Sequence, residues 1–239
     1  MLGVADNTNY AATIYGSSIH MACDVLFGNK IKGIRMSSDD FRNLFIANFE
    51  KLHVKINIWG EDNKEWLQAQ GVAACEDFYN MFYDKLEPTA TEKQYMIDRG
   101  KGKLPIKCIS DLETKDGTVY DFKFGRGLWG SAVSGEYMTN MTTYALGYFL
   151  KHGKIPKVKI IKQKWSGSKQ PSGRKKWSHK SFEVDELGVT QKWIDYYKKV
   201  YDEVERGINA GIFLPASDNN GLCKACSYRK TGYCDIVLM

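Results

Sequence analysis

The sequence predicts an α/β protein with a mixed central sheet flanked by helices. Three observations indicate this class: helical segments come first, a run of strands follows, and a further helix separates those strands from two more. A helix that crosses between strands is typical of this architecture. The 239 residues, 43% of them hydrophobic, suit one core. We expect a single domain, 1–239, with a helical N-terminal part (1–90), a sheet core (91–184) and a C-terminal helix followed by cysteines (185–239).

Five helices are predicted from apolar residues at helical spacing and from capping signals. Ser37-Ser-Asp-Asp40 is a capping box, in which a serine and an acid satisfy the first backbone N–H groups of a helix. The other four predicted helices cover Ser17–Asn29, about Asn63–Leu86, Gly135–Lys151 and Val189–Arg206.

Five strands are predicted from short apolar-rich runs between turn signals. They cover Glu92–Asp98, Pro105–Glu113, Thr118–Phe124, Lys157–Trp165 and Lys175–Val184. No run is long and apolar enough to span a membrane, and the first residues lack the pattern of an export signal. We therefore expect an intracellular, cytoplasmic protein of cellular or viral origin.

A hairpin is predicted around Asp116-Gly117, a dipeptide that favours a tight turn. In this register Leu112 faces Tyr120, Ile109 faces Lys123, and two acids, Asp111 and Asp121, face each other. One face of the hairpin is then apolar and is expected to be a core face: Ile106, Cys108, Leu112, Tyr120, Phe122 and Phe124.

Like charges directly opposite on a sheet are destabilising, so Asp111 and Asp121 are expected to share a divalent cation. Mg²⁺ and Mn²⁺ prefer such oxygen ligands. Lys123 lies two residues beyond Asp121 on the same face and can orient a water or stabilise negative charge. The alternative is a solvated surface hairpin in which Lys123 pairs with Asp121.

The segment 151–180 contains eleven lysines and arginines and no acid, in a chain of net charge +6. Basic residues interleaved with tryptophan are typical of surfaces that bind phosphates and unpaired bases. We expect a nucleic-acid partner, although such a run can also be a solvated face. The candidate DNA contacts are Lys162, Lys164, Trp165, Arg174, Lys175, Lys176 and Trp177.

Three cysteines near the end of the chain, Cys223, Cys226 and Cys234, have the spacing C-x2-C-x7-C. Without an export signal this spacing favours metal or cluster ligation over disulfides. The candidates for a fourth thiolate are Cys23, Cys75 and Cys108. Cys108 points to the core face, and Cys23 lies near the chain start. Four thiolates suit a [4Fe–4S] cluster, with zinc as the alternative and unrelated thiols as a further one.

In their order and spacing these segments resemble the PD-(D/E)xK nuclease superfamily, specifically the RecB-like exonucleases with an iron–sulfur cluster. That group includes the CRISPR-associated RecB-like exonuclease and phage relatives. The similarity covers most of the chain and rests on four pieces: Ser17–Cys23, Pro105–Asp111, Asp116–Lys123 and Cys223–Cys234. It implies a restriction-endonuclease-like fold and a cluster held by Cys23, Cys223, Cys226 and Cys234.

The resemblance also implies that Asp111, Asp121 and the backbone carbonyl of Phe122 hold one or two Mg²⁺ or Mn²⁺ ions. Two family motifs are altered. Asn140-Met-Thr-Thr-Tyr144 stands where Gln-x-x-x-Tyr is common; Tyr144 and Asn140 are expected to orient DNA or Lys123. Gly71-Val-Ala-Ala-Cys75 is the match to Gly-x-x-x-His, which leaves Cys75, Glu76 or water at that metal position, or Cys75 in the core.

The expected function is a metal-dependent DNA nuclease, an exonuclease on single-stranded DNA or DNA ends. The expected setting is recombination, repair, or CRISPR- or phage-related DNA processing, with protein partners in such a complex. Two alternatives stay open. One is a non-catalytic DNA- or protein-binding member of the same fold, and the other is a zinc-stapled nucleic-acid-binding module.

Overall fold

The computed structural model describes residues 9–60, 62–125, 135–169 and 175–211. These residues form five α-helices, five strands and a short 3₁₀ turn, in the order expected for a mixed α/β protein. The helices are α1 (Ala11–Ile31), α2 (Ser38–Leu52), α3 (Lys64–Phe82), α4 (Gly135–His152) and α5 (Gln191–Asn209), with the 3₁₀ turn at His53–Lys55. The strands are β1 (Pro88–Ile97), β2 (Ile106–Thr114), β3 (Thr118–Lys123), β4 (Lys157–Lys169) and β5 (Lys175–Leu187).

The five strands form one sheet in the order β1-β2-β3-β4-β5. Neighbouring strands are antiparallel except for β3 and β4, which are parallel. A parallel pair needs a crossover connection, and α4 provides it. The predicted mixed sheet is confirmed.

Helices cover both faces of this sheet. One apolar cluster joins α1, α2 and α3 to the sheet, and two smaller clusters join α4 and α5 to its other face. Ile160 and Ile161, neighbours on β4, lie in different clusters and so point to opposite faces. Strands buried on both faces read as continuous apolar runs rather than as an alternation.

The single core face predicted for the hairpin is wrong for this reason. Leu112, Tyr120, Phe122 and Phe124 pack against α1–α3, whereas Ile106 and Cys108 pack on the side of α4 and α5. Between Cys108 and Leu112 the apolar side chains of β2 therefore change face. Both faces can accept them because both are covered by helices.

Local signals place the helices well. Ser37 accepts a hydrogen bond from the Asp40 backbone N–H, and the Asp40 carboxylate accepts one from the Ser37 backbone, which is the predicted capping box. Helix α1 begins at Ala11, earlier than the Ser17 expected from the sequence. Within the described ranges no helix is both long and apolar enough to cross a membrane.

The basic segment is mostly a hairpin. Strands β4 and β5 pair as far as Lys169↔Lys175, beyond the strand end expected at Trp165. The register shifts between Lys164 and Trp165. The tip, 170–174, lies outside the described residues, as does the cysteine segment after Gly211.

Candidate active site

The ends of β2 and β3 bring the two predicted acids together. The strands pair at Leu112↔Tyr120 and Glu113↔Val119, the register expected from the turn. Toward Asp111 the pairing changes: the backbone N–H of Phe122 donates to the Asp111 carboxylate, with 2.5 Å between nitrogen and oxygen. A side chain thus replaces a backbone acceptor where the strands separate.

The short ladder between β2 and β3 corrects two predicted pairs. It consists of Leu112↔Tyr120 and Glu113↔Val119, so neither Asp111↔Asp121 nor Ile109↔Lys123 is part of it. β3 is paired with β4 over its whole length, so its last residues stay in the sheet beside Asp111 after the ladder with β2 has ended.

Lys123 forms an ion pair with Asp121, its Nζ lying 2.9 Å from Oδ1 and 2.7 Å from Oδ2. This is the contact expected in the alternative of a solvated hairpin. However, Asp121 is only 2% exposed and Lys123 is half-buried, so the pair is not a surface pair. A buried carboxylate of this kind needs compensating charge.

Burial raises the pKa of Asp111, and the nearby charge of Asp121 raises it further. The Phe122 N–H and Lys123 oppose this shift without cancelling it. Burial also raises the pKa of Asp121, against the influence of Lys123 and a hydrogen bond from Tyr144. The pair thus carries more negative charge than its surroundings compensate, a condition that a divalent cation relieves.

Two further residues, neither of them predicted from the sequence as a ligand, complete the group. His20 of α1 places Nδ1 3.7 Å from Oδ2 of Asp111. Glu92 of β1 lies between the pairs Thr91↔Leu112 and Lys93↔Ser110 and so faces Asp111. One candidate ligand atom each from His20, Glu92 and Asp111 lie within 4.8 Å of one another. An open cavity of about 470 Å³ borders all three.

Close packing of α1 on β3 positions His20. A Cβ at Gly16 would lie 3.1 Å from the Phe124 carbonyl oxygen, so only glycine fits without displacement. One turn later the His20 ring packs edge-on against Phe124, with centroids 5.1 Å apart. Burial and the charge of Lys123 lower the pKa of His20 to about 4, which leaves the imidazole neutral and able to bind a metal.

The sequence does contain a signal for this histidine. Gly16-Ser-Ser-Ile-His20 has the Gly-x-x-x-His spacing that we expected at Gly71–Cys75. Glu92 has no comparable local signal. It is distinguished by a positive φ of 46°, a conformation that costs energy for a residue with a side chain.

Neither Cys75 nor Glu76 is among the three converging ligands. Cys75 is fully buried in the core, and Gly71 beside it gives room to the Phe45 ring of α2. Glu76 points to α2, where its carboxylate lies 2.9 Å from a guanidinium nitrogen of Arg42. The alternative in which Cys75 packs in the core is confirmed.

Tyr144 and Asn140 lie one turn apart on α4, but only Tyr144 contacts the acids. The Tyr144 hydroxyl donates to Asp121, and burial together with the charges of Asp121 and Asp111 raises the pKa of Tyr144. Tyr144 therefore lies against one of the two predicted carboxylates. Asn140 is exposed.

Two of the predicted DNA contacts are engaged within the fold. Lys162 is 8% exposed and lies 2.5 Å from Asp185 of β5. The Trp165 ring packs between Trp66 and Tyr15, at centroid distances of 5.7 Å and 5.9 Å. Both side chains are therefore occupied by contacts within the protein rather than exposed for DNA binding.

The other candidates differ in how far they are described. Lys164 is exposed and pairs with Glu183 at 3.1 Å. Trp177 is half-buried and packs over Gly167 of the opposite strand. Arg174 lies outside the described residues, and the side chains of Lys175 and Lys176 do as well.

Of the cysteines assigned to the cluster, only Cys23 lies in the described part of the chain. It is a free, buried thiol on α1, and burial raises its pKa strongly. Cys108 is buried as expected, with Sγ 3.6 Å from the Thr143 carbonyl oxygen. Cys223, Cys226 and Cys234 lie outside the described residues, so the cluster stays a prediction.

No protein-family model matches the sequence, and no curated protein is similar to it. Among solved structures, the chain is similar to a proposed exonuclease from Eubacterium rectale, with a TM-score of 0.46 and 12% identity. The match covers 100% of this chain and 96% of that one. So weak a likeness carries no argument about function, and the geometry of the site has to supply it.

Proposed function

We propose that the chain is a divalent-metal-dependent DNA nuclease that hydrolyses phosphodiester bonds as an exonuclease on single-stranded DNA or DNA ends. One observation carries the proposal: three candidate ligands from α1, β1 and β2 converge beside a second buried carboxylate and its lysine. The resemblance of the sequence to RecB-like iron–sulfur nucleases supports DNA as the substrate.

The donor set fits a hard divalent cation. Carboxylate oxygens with one neutral imidazole suit Mg²⁺ or Mn²⁺, whereas no thiol is among the three converging ligands. His20, Glu92, Asp111, Asp121 and the Phe122 backbone carbonyl would hold it. When bound, such an ion lowers the pKa of a coordinated water and offsets the charge of the phosphate.

The chain's own groups then have distinct tasks. Lys123 supplies a fixed ammonium group beside the acids, able to orient the attacking water or stabilise charge that develops on the phosphate. Tyr144 fixes the Asp121 carboxylate through its hydroxyl. The Phe122 N–H fixes Asp111 in the same way from the other side.

DNA binding is proposed for the β4–β5 hairpin through Lys164, Trp177 and the basic residues toward its tip. The support is the exposure of Lys164 and the charge of the segment. Since Lys162 and Trp165 are engaged elsewhere, the proposed contact surface is narrower than the sequence suggested. A role in recombination, repair, or CRISPR- or phage-related DNA processing, with protein partners, rests on the resemblance alone.

A [4Fe–4S] cluster is proposed at Cys23, Cys223, Cys226 and Cys234, with zinc as the alternative. Its support is the C-x2-C-x7-C spacing near the end of the chain together with the free thiol of Cys23. Burial raises the pKa of Cys23, so this thiol would bind as a thiolate only where a metal compensates its charge. Anaerobic purification tests this: a brown protein absorbing near ~400 nm contains the cluster, and a colourless one with zinc does not.

Digestion of end-labelled single- and double-stranded DNA tests the nuclease proposal. We expect cleavage with Mn²⁺ or Mg²⁺, none with EDTA, and losses of roughly 10³-fold or more for Asp121→Asn and Lys123→Ala. DNA binding by both variants should remain measurable. Cleavage by both variants at the wild-type rate would refute the assignment.

A non-catalytic DNA-binding protein is the second candidate. The altered Gly-x-x-x-His motif at Gly71–Cys75 favours it, whereas a histidine 3.7 Å from Asp111, His20, supports the nuclease instead. The altered amide at Asn140 is the remaining feature that favours it. Wild-type protein that binds DNA but never cleaves it with either metal would establish this alternative.

A further inference from the structure

A buried polar chain lies next to the proposed site but shares no residue with it. At its centre is Gln163 of β4, which is 1% exposed. Its amide oxygen accepts from the Gly125 backbone N–H at 2.9 Å, and its amide nitrogen lies 2.8 Å from the Tyr15 hydroxyl and 3.1 Å from Nδ1 of His179. Nε2 of His179 lies 3.0 Å from Asp77 of α3.

The hydrogen positions in this chain follow from one fixed donor. A backbone N–H can only donate, so the oxygen of the Gln163 amide must face Gly125. The amide NH₂ then faces His179, and Nδ1 of that ring has to be an acceptor without a proton. The ring proton is therefore on Nε2, where it donates to Asp77.

Gly125 connects this hydrogen-bond chain to the strand that carries Lys123. The β3–β4 ladder ends at Lys123↔Lys162, and Gly125, two residues after Lys123, turns away with a φ of +102°. At that point the side chain of Gln163 supplies the next hydrogen bond in place of the β4 backbone. The Gln163 amide, in this one orientation, thus holds the Gly125 N–H just beyond the strand that carries Lys123.

We propose that Gln163 is a positioning residue for Lys123, that the neutral Nε2–H form of His179 fixes its orientation, and that protonation of His179 releases the end of β3. A proton on Nδ1 would face the Gln163 NH₂ group, donor against donor. The amide must then turn, and Gly125 loses its acceptor. The consequence for catalysis rests on the proposed nuclease function, whereas the hydrogen-bond chain does not.

The groups around His179 agree with a neutral ring near pH 7. Asp77 of α3 is the charged group that faces it, and the Tyr15 hydroxyl of α1 reaches it through Gln163. Gln70 accepts from its backbone N–H, and Phe182 packs against the ring at 5.3 Å. Burial lowers the pKa of His179, and Asp77 only partly restores it. The end of β3 should therefore be released only at pH values below those at which a histidine is ordinarily protonated.

The variant Gln163→Glu tests the coupling directly. A carboxylate still accepts from Gly125, but it cannot donate to Nδ1 and instead favours a ring with protons on both nitrogens. In the metal-free protein, ¹⁵N NMR of the histidine rings should show the Nε2–H form of His179 at pH 8. Its pKa should rise by about one unit or more in the variant. An Nδ1–H form, or an equal pKa in both proteins, overturns the proposal.

Hydrogen exchange of the Gly125 amide tests the positioning itself. After correction for the intrinsic rate at each pH, its protection should fall about tenfold as His179 becomes protonated. The variant His179→Asn keeps an oxygen near the Nδ1 position and cannot be protonated, so its protection should not change with pH. His152→Asn, at the end of α4, is the matched control and should behave as wild type. If protection of the Gly125 amide in the wild type does not depend on pH, the proposal is overturned.

Cleavage measurements then test whether the hydrogen-bond chain affects catalysis at the proposed active site. The rate constant kcat, rather than KM, should fall in acid with the pKa of His179. The part of the fall that follows this pKa should be absent in His179→Asn, whereas the part due to the site carboxylates should remain in both proteins. If the NMR and exchange results hold but the fall in kcat is identical in wild type and His179→Asn, the positioning role is wrong while the nuclease stands. If no protein cleaves DNA, the proposed function fails and the two metal-free measurements still decide the hydrogen-bond chain.

Discussion

Gly16 of α1 and Phe124 at the end of β3 are in such close contact that a Cβ at position 16 would stand 3.1 Å from the Phe124 carbonyl oxygen. Glycine inside a helix normally costs about 0.5–1 kcal/mol relative to alanine. Here its absence of a side chain sets how far α1 approaches the sheet, and thereby where His20 lies.

Replacing Gly16 by alanine should therefore weaken metal binding. Helix propensity favours the change, but the new methyl group pushes α1 away from β3 and moves His20 from Asp111. We expect Mn²⁺ affinity to fall about tenfold, equivalent to about 1.4 kcal/mol, by isothermal titration calorimetry.

Gly28 provides the matched control on the same helix. A Cβ there would lie 3.8 Å from Thr91 Cγ2, an ordinary contact. Gly28→Ala should stabilise the protein by about 0.5–1 kcal/mol in urea unfolding and leave Mn²⁺ affinity unchanged. Equal metal affinities for the two variants would disprove the positioning role of Gly16.

Removing a site carboxylate should stabilise the metal-free protein. Burial and the charge of Asp121 raise the pKa of Asp111, so the folded state binds this proton more tightly than the unfolded state. The free energy of unfolding should therefore fall as the pH rises above about 4. The variant Asp111→Asn has no such proton to lose. Its free energy of unfolding should therefore exceed that of the wild type by about 0.5–2 kcal/mol at pH 7 in EDTA.

Urea unfolding at pH 4 and pH 7 measures this difference, which should be small at the lower pH. Adding Mn²⁺ should reverse the order, because binding stabilises only the protein that holds the ion. A variant that is less stable than wild type in EDTA at both pH values contradicts the expectation.

Substitutions at Glu92 and Glu76 distinguish the ligand set seen in the structure from the one expected from the sequence. Glu92→Gln removes a charge within the converging group, so Mn²⁺ affinity should fall at least about tenfold, about 1.4 kcal/mol. Glu76→Gln alters only an exposed pair with Arg42 and should leave the affinity unchanged. The reverse result would place the cation beside α3.

The two tryptophans of the hairpin should differ in what they contribute. Trp165→Ala removes a ring packed between Trp66 and Tyr15 and should cost about 3–5 kcal/mol of stability. Trp177→Ala should cost less stability but weaken binding of single-stranded DNA by about 1–3 kcal/mol, the usual size of one base stack. Fluorescence anisotropy at a temperature where both variants are folded decides between these roles.

Local interactions made part of the site predictable. The turn at Asp116-Gly117 fixes the register of a short hairpin, and the pair Leu112↔Tyr120 is observed as expected. Counting on from that register brings Asp111 and Asp121 together, although the ladder itself ends at Leu112↔Tyr120. The capping box at Ser37 is predictable for the same reason, since it involves residues only three positions apart.

The other ligands depend on packing between distant segments. His20 reaches Asp111 because α1 packs against β3, and Glu92 does so because β1 pairs with β2. Neither contact leaves a periodic pattern in the sequence. The Gly-x-x-x-His spacing at Gly16–His20 was available, but the helix that would approach the sheet through its glycine could not be told from α3 by spacing alone.

A count of charges along the sequence overstates the positive charge of the β4–β5 hairpin. The segment 151–180 contains no acid, yet Glu183 and Asp185 follow directly on β5. Antiparallel pairing brings them beside Lys164 and Lys162. Charge compensation in a sheet acts across strands, so a one-dimensional count misses it.

The unusual backbone of Glu92 has a second effect, on association between molecules. β1 is an edge of the sheet, and an edge strand can pair with another chain unless something interrupts it. A left-handed residue in mid-strand breaks the straight row of donors and acceptors that such pairing requires. The same kink that aims a carboxylate at Asp111 thus discourages fibre-like stacking of one molecule on the next.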